Sequence, residues 1–124
     1  MQPVKFQTLK NKYEYLKIDD CLEDVDPVEA TSSWTLTDSR DETITITNAV
    51  LPDGSWVYGY VVYWAKGGTS TKLPTAEHGQ FRSQREAKLH AIGFMLVYND
   101  YFLPETQEAI RTAEASLLQG QLFD

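Results

Sequence analysis

Residues 42–66, ETITITNAVLPDGSWVYGYVVYWAK, carry the strongest structural signal in the sequence. Isoleucine alternates with threonine in residues 42–51, which is the pattern of a strand with one apolar face. A turn follows, because Pro52 fixes φ at the second position of a β-turn and Gly54 tolerates positive φ. Residues 55–66 are apolar on both faces, as in a strand at the centre of a sheet. We therefore predict a β-hairpin of 42–51 and 55–66 at the centre of an antiparallel sheet.

Weaker strand signals flank this hairpin. The sequence TSSWTLT at 31–37 alternates large apolar with hydroxyl side chains and predicts a half-buried strand. Residues 67–70 (GGTS) predict a flexible connection, and residues 72–75 predict a short strand at a sheet edge because they include a proline. The tyrosines of the imperfectly alternating segment 4–18 are expected to line one or two further short strands.

The clearest helix start follows these strands. Ser83 and Glu86 fit a capping box, in which the serine hydroxyl and the glutamate each satisfy a free N–H of the first turn. Apolar residues spaced by three and four then predict a helix over residues 84–99. Pro104 suits the first turn of a second helix at 105–118. Strands followed by two helices predict an α+β fold in which an antiparallel β-sheet packs against two C-terminal helices.

Length and composition indicate one globular domain. The 124 residues are 42% hydrophobic and 23% charged, and we expect a single domain over 1–124 with a short tail at 119–124. Cys21 is the one cysteine, so no intramolecular disulfide is possible and a reducing, cytoplasmic location is the simpler expectation. No apolar run is long enough to span a bilayer and no signal peptide is recognisable, so we expect no membrane partner.

The residues needed for catalysis or metal binding are sparse. His78 and His90 are the only bases that titrate near neutrality, and neither a nucleophile elbow nor a glycine-rich phosphate loop accompanies them. Cys21 lies in the acidic segment 19–29, where carboxylates disfavour the thiolate. That segment lacks the glycine and the spacing of an EF-hand, and two histidines with one cysteine do not resemble a zinc site. We therefore predict no enzyme, no cofactor and no metal.

Charge is distributed unevenly along the chain. The net charge of −7 disfavours non-specific binding of nucleic acid, because such binding depends on clustered lysine and arginine. Residues 66–90 nevertheless contain five bases against two acids. These bases form the candidate nucleic-acid-binding site: Lys66, Lys72, Arg82, Arg85 and Lys88.

One face of the segment 55–66 is aromatic. Its rings either pack beneath a helix as core or stand exposed as a stacking platform for single-stranded nucleic acid. The sequence leaves both alternatives open for Trp56, Tyr58, Tyr60 and Trp64.

The start of the first predicted helix resembles a known family. Residues 83–91, SQREAKLHA, are similar to the opening of the last helix of double-stranded RNA-binding domains, which follows a three-stranded antiparallel sheet. The resemblance covers residues 42–98 and implies that Arg85 and Lys88 contact phosphates. The pattern Phe-x-Ser-x-x-Glu-Ala at 81–87 is also similar to HicB-type antitoxins and to short domains carried on plasmids and phages.

A second resemblance lies at the C-terminus. The residues QGQLF at 119–123 resemble the Gln-x-x-Leu-Phe peptides with which bacterial replication proteins bind the sliding clamp. In such peptides the glutamine fixes the orientation, and the leucine and the aromatic ring enter a preformed apolar pocket. The resemblance implies a protein-binding site at Gln119, Leu122 and Phe123.

Two main classes of function follow. The first is a small accessory protein of a plasmid or phage that binds nucleic acid, or a nucleic-acid-processing protein, through the bases of 66–90. The second is an acidic inhibitor or adaptor that presents the carboxylates of 19–29 and of the last helix to a basic protein, as a mimic of DNA would. A catalytic domain would require His78 or His90 beside a carboxylate in a pocket. A homodimer through an uncovered sheet edge is also expected, because the strand at 55–66 is long and apolar.

Overall fold

The computed structural model describes residues 11–18, 28–76 and 79–119 of the chain. It has an α+β fold in which a four-stranded antiparallel sheet is followed by two helices, as the sequence predicts. The strands are β1 (Ser32–Asp38), β2 (Thr43–Val50), β3 (Trp56–Tyr63) and β4 (Thr69–Thr75), and the helices are α1 (Gln84–Val97) and α2 (Pro104–Leu118). Two short 3-10 helices lie at Glu14–Leu16 and Asn99–Tyr101.

The predicted hairpin lies at the centre of the sheet, whose strand order is β1-β2-β3-β4. β2 and β3 pair in one unbroken register along their whole length. In the turn between them Gly54 has a φ of +88°, so the positive φ that its sequence position predicts is confirmed. An Asp53 carboxylate oxygen accepts hydrogen bonds from the backbone N–H and the hydroxyl of Ser55, at 2.9 and 2.6 Å, which fixes the turn.

β4 is longer than the sequence predicts. It begins at Thr69, so the predicted connection over 67–70 is wrong for its last two residues, which belong to the strand. A β-bulge interrupts the pairing of β4 with β3, since Leu73 and Pro74 together oppose the single residue Gly59. The strand lies at a sheet edge, where proline is tolerated.

Both helices begin where the sequence predicts. Ser83 is the N-cap of α1, and its hydroxyl accepts a hydrogen bond from the backbone N–H of Glu86 at 3.1 Å. The reciprocal half of the predicted capping box is incomplete, since Glu86 Oε1 is buried and has no hydrogen-bond partner among the described residues. Pro104 lies in the first turn of α2, where its missing N–H costs nothing.

The core lies between the sheet and the helices. α1 packs on β2 and β3, and α2 packs on β1. Ile44 and Ile46 of β2 are fully buried there, which confirms the apolar face predicted from their alternation, and Tyr58 of β3 is fully buried with them. Because Tyr60 is buried as well, the aromatic face of β3 is core and not a stacking platform. A smaller apolar cluster around Val57 covers one end of the opposite face.

The segment before the sheet differs from its prediction. Residues 14–16 form a 3-10 helix, so the described part of segment 4–18 contains no strand, and residues 4–10 lie outside the described residues. Tyr13 is buried in the core, and its hydroxyl donates to the carboxylate of Glu114 in α2. The alternating pattern does not indicate a strand here, because the buried ring of Tyr13 packs against helices.

Candidate functional site

Two of the five bases predicted to bind nucleic acid lie at opposite ends of the sheet. Arg82 follows Phe81, which bridges to Trp56 at the start of β3. Lys66 lies in the turn beyond Tyr63, at the other end of the same strand. At about 3.3 Å per residue the two ends of β3 are roughly 23 Å apart. The structure therefore does not bring these two exposed bases together.

Two further bases lie at opposite edges of the sheet. Lys72 is in β4, opposite Tyr60 of β3. Lys88 of α1 is only 8% exposed, and its Nζ lies 5.3 Å from the centroid of the Trp34 ring in β1, at the other edge. The Lys88 ammonium thus makes a cation–π contact that joins α1 to β1.

Arg85 binds the end of α2. Its guanidinium donates two hydrogen bonds to the backbone carbonyl of Leu117, from Nε at 3.0 Å and from Nη2 at 2.6 Å. Carbonyls in the last turn of a helix lack intrahelical partners and carry partial negative charge, so a guanidinium there stabilises the helix end. Arg85 and Lys88, the two bases that the resemblance assigns to phosphates, therefore both have contacts within the fold.

A groove of about 430 Å³ lies between β1 and α2. Trp34 and Leu36 of β1 form one side, and Glu105 and Glu108 of α2 stand on the other. Both glutamates are exposed, and Glu108 pairs with Arg111 at 3.2 Å. The remaining lining side chains are small or carry a hydroxyl: Thr35, Ala109, Thr112, Ala113 and Ser116. We call this the acidic groove, because it combines an apolar wall with two carboxylates.

The buried ring of His90 makes hydrogen bonds to one buried and one exposed side chain. Its Nδ1 is 2.9 Å from the Tyr58 hydroxyl, and its Nε2 is 2.9 Å from Glu14 Oε1. A neutral ring satisfies both contacts when Nδ1 accepts from the tyrosine and Nε2 donates to the carboxylate. The ring also packs against Phe81, with centroids 4.9 Å apart, and the residue is 4% exposed. A substrate has no direct access to this ring, and the network joins segment 11–18 to α1.

Burial and hydrogen bonding shift both titratable groups of this network. Burial lowers the pKa of His90, and it outweighs the hydrogen bond and the charge of Glu14, which raise it. The pKa of Glu14 is also lowered. Burial alone would raise it, but the contacts of its carboxylate with Lys17 and His90 together have the larger effect.

We expect acidification to destabilise the fold, starting at the ordinary histidine pKa of about 6.5. A histidine whose pKa is lowered in the folded state binds protons more readily when unfolded, so its stabilising contribution is lost as the pH falls. Glu14 acts in the same direction below the ordinary glutamate pKa of about 4.3. Urea unfolding at about pH 7.5 and about pH 5.5 measures the effect.

The control for this prediction is the second histidine. His90→Gln should lose most of the stability difference between the two pH values, whereas His78→Gln should retain it. A wild-type protein that is equally stable at both pH values would contradict the assignment of a neutral, buried His90.

Other predicted site residues lie outside the described residues. These include Leu122 and Phe123 of the C-terminal motif, together with Cys21 and His78. Gln119, the remaining residue of that motif, is exposed at the C-terminal end of α2. Clamp binding therefore stays a prediction.

The described ranges contain neither a membrane-spanning helix nor a metal-binding cluster. No helix in them is both long and apolar enough to cross a bilayer. Likewise, no group of three or more His, Cys, Asp or Glu side chains within these ranges is placed to hold a metal ion.

Comparisons with family models, with curated proteins and with solved structures found no match for this chain. The resemblances to double-stranded RNA-binding domains and to HicB-type antitoxins therefore stay predictions.

Proposed function

We propose that this chain is a non-enzymatic protein-binding module, an acidic adaptor or inhibitor, that holds a basic, extended segment of a partner protein in the acidic groove. One observation carries the proposal: the apolar side chains of Trp34 and Leu36 line the same groove as the exposed Glu105 and Glu108. The chain as a whole has a net charge of −7, which also favours a basic partner over nucleic acid.

The edge of the sheet supports an extended conformation for the bound segment. β1 is an edge strand, and no other strand of the described residues pairs with its outer side. An edge strand offers backbone N–H and C=O groups with which another chain can pair. A segment added there directs every second side chain toward the groove. The register shift after Thr35 limits regular pairing to the first half of β1, residues 32–35.

The two glutamates supply the charge that a lysine or arginine of the partner would meet. Glu105 has no ion pair within the described ranges, so its carboxylate needs no rearrangement to bind a cation. The Glu108 carboxylate is paired with Arg111, but both side chains are more than half exposed, so this pair contributes little and is easily exchanged. The aliphatic part of a lysine can cover the Trp34 ring while its ammonium reaches the carboxylates.

Binding of a fluorescent peptide that alternates lysine with valine tests this proposal. We expect measurable binding that weakens as salt is raised, because exposed charges are screened. Reversal of the groove charges in Glu105→Lys/Glu108→Lys should lower the affinity by at least about tenfold, since two attractions become two repulsions. Fluorescence anisotropy at low and moderate salt gives the dissociation constants.

The matched control reverses the same amount of charge elsewhere. Asp41→Lys/Asp100→Lys replaces two exposed acids that do not line the groove, and this variant should keep most of the affinity. A peptide that alternates glutamate with valine should not bind. Equal affinities of the groove variant and the control variant would contradict the proposal.

The nucleic-acid hypothesis is tested in the same assay with labelled single- and double-stranded DNA and RNA. Lys66 and Arg82 are exposed and can be reversed without removing a contact of the core. Salt-dependent binding of nucleic acid that is lost in Lys66→Glu/Arg82→Glu, without binding of the basic peptide, would overturn the proposal in favour of a nucleic-acid-binding function.

A further inference from the structure

The sheet has two edges that pair with no further strand of the described residues, and these edges differ in charge. β1 borders the acidic groove with Glu105 and Glu108. β4, at the other edge, contains Lys72, and the turn before it contains the exposed Lys66. Because an acidic and a basic edge are complementary, a second copy of the chain offers the basic, extended segment that suits the acidic groove.

The helices leave room for a neighbour at β4. α2 packs on β1, and α1 packs on β2 and β3, whereas β4 has no comparable contact with a helix in the described part of the chain. Adjacent strands lie about 4.8 Å apart, but packed helices need about 8–10 Å. Two copies that paired β1 with β1 would therefore overlap at their α2 helices. Pairing of β1 with β4 of the next copy avoids this overlap, because α2 then lies beside the open helix side of β4.

The directions and lengths of the two edge strands also match. Successive strands are antiparallel, so a second copy in the same orientation places its β4 antiparallel to β1. Bulges limit regular structure to residues 32–35 of β1 and 69–72 of β4. Beyond its bulge β4 is closed to a neighbour, because Pro74 lacks an N–H and its carbonyl accepts from the backbone N–H of Val28 at 2.9 Å. Pairing of the two regular ranges keeps the helix-facing residues of both strands on one side.

The glutamates of the groove lie near the end of β1. The backbone N–H of Leu103, the residue before α2, donates to Glu42 Oε1 at 3.0 Å. Glu42 immediately precedes β2, whose first residue pairs with the last residue of β1. The first two turns of α2, which contain Glu105 and Glu108, therefore lie at this end of the strand.

The same end of β1 meets Lys66 of the second copy. When the two regular ranges pair, Thr35 lies opposite Thr69, and the turn before Thr69 continues along the end of β1. Lys66 lines a shallow pocket together with Tyr101 of the connection between the helices, so it lies on the helix side of the sheet. Its ammonium group is therefore the one that reaches the carboxylates of the groove.

We propose that the acidic groove and the edge of β1 bind β4 of a second copy of this chain, with Lys66 of one copy beside Glu105 and Glu108 of the next. This proposal rests on the function proposed above and names the partner of the same site. Each contact leaves one free edge of each kind, so further copies add in a row. The charges favour this pairing over β4 with β4, which would bring lysines together.

Sedimentation velocity of the full chain, up to millimolar concentration, measures this association. We expect the average mass to rise with concentration and not to level off at twice the monomer mass, because each added copy offers a new edge. The paired ranges are short, so the association is weak and reversible. It should weaken further as salt is raised, because the charges that meet are exposed before association.

Charge reversal on either side should disrupt the contact. Lys66→Glu and Glu105→Lys/Glu108→Lys should each lower the association constant by about tenfold, since attraction becomes repulsion. An equimolar mixture of the two variants should associate as the wild type does, because reversed charges meet in one contact and native charges in the next. Arg82→Glu is the matched control. It reverses an exposed base at the other end of β3 and should leave the association unchanged.

Four results would overturn the proposal. They are a wild type that stays monomeric at millimolar concentration, a mixture that associates as weakly as its components, an equal loss in Arg82→Glu and Lys66→Glu, and a mass that levels off at the dimer. The last result would indicate a closed two-fold contact.

The peptide assay separates this proposal from the function on which it rests. Lys66→Glu keeps an intact groove, so it should bind the peptide of alternating lysine and valine as the wild type does. Peptide binding by a chain that stays monomeric would overturn only the self-association. Loss of both activities in the wild type would overturn the proposed function as well.

Discussion

Replacement of Gly59 by alanine is expected to lower the free energy of unfolding by about 3 kcal/mol, the upper part of the range for overpacked sites. A Cβ at this position would lie 2.2 Å from the carbonyl oxygen of Lys72 and 2.6 Å from the carbonyl carbon of Leu73. These backbone atoms belong to the β4 bulge, so no side-chain rotation relieves the contact. The alanine has to push β4 away from β3 and weaken their pairing. Urea unfolding measures the loss, and hydrogen exchange should show faster exchange of the β4 amides.

Gly67 provides the control for this substitution. It has a φ of +91°, but a Cβ there would meet no atom within 4 Å. Gly67→Ala therefore imposes only the cost of a left-handed alanine, about 1 kcal/mol. Equal destabilisation by the two substitutions would show that the bulge does not close over Gly59, and the register of β3 with β4 would then have to be revised.

The central hairpin and the starts of both helices could be predicted from sequence because their signals are local. The alternation over 42–51 indicates one buried face, and Ser83 indicates the start of a helix. Both can be recognised without knowledge of the rest of the chain. The tyrosines of segment 4–18 gave a similar local signal that failed. Tyr13 is held by Glu114, a residue at the far end of the chain, and short-range periodicity contains no information about such a contact.

The contacts of the bases predicted to bind nucleic acid could be predicted only in part, for the same reason. Arg85 donates to the carbonyl of Leu117, 32 residues away, so its role at the end of α2 depends on how the helices pack. The burial of Lys88 could have been predicted, because Lys88 lies four residues before the buried Ile92 and therefore on the inward face of α1. The acidic groove was beyond sequence analysis, since Trp34 and Glu105 lie in the first strand and the last helix.

Glu42 is a second residue whose burial could have been predicted from the alternation of the sequence. It lies two residues before Ile44, on the inward face of the same segment, and it is 1% exposed. Its Oε2 accepts from the backbone N–H of Ala65 at 3.1 Å, and its Oε1 accepts from that of Leu103 at 3.0 Å. The Glu42 carboxylate thus connects the start of β2, by hydrogen bonds, to the turn after β3 and to the residue before α2.

Glu42→Ala is therefore expected to lower the free energy of unfolding by about 3–5 kcal/mol, because it leaves two backbone N–H groups unpaired and opens a cavity. Glu42→Gln keeps one acceptor oxygen but places an amide N–H₂ against the other donor, so its loss should be about half as large. Hydrogen exchange of the Ala65 and Leu103 amides, measured beside urea unfolding, should accelerate in both variants.

Glu105→Ala provides the comparison for an exposed glutamate, and it should change the stability by less than about 0.5 kcal/mol. A loss in Glu42→Ala no larger than this would mean that water replaces the carboxylate at both N–H groups. We do not expect that outcome, because Glu42 is 1% exposed and bulk water has little access to its position. The expected order of stability is therefore wild type and Glu105→Ala first, Glu42→Gln next and Glu42→Ala last.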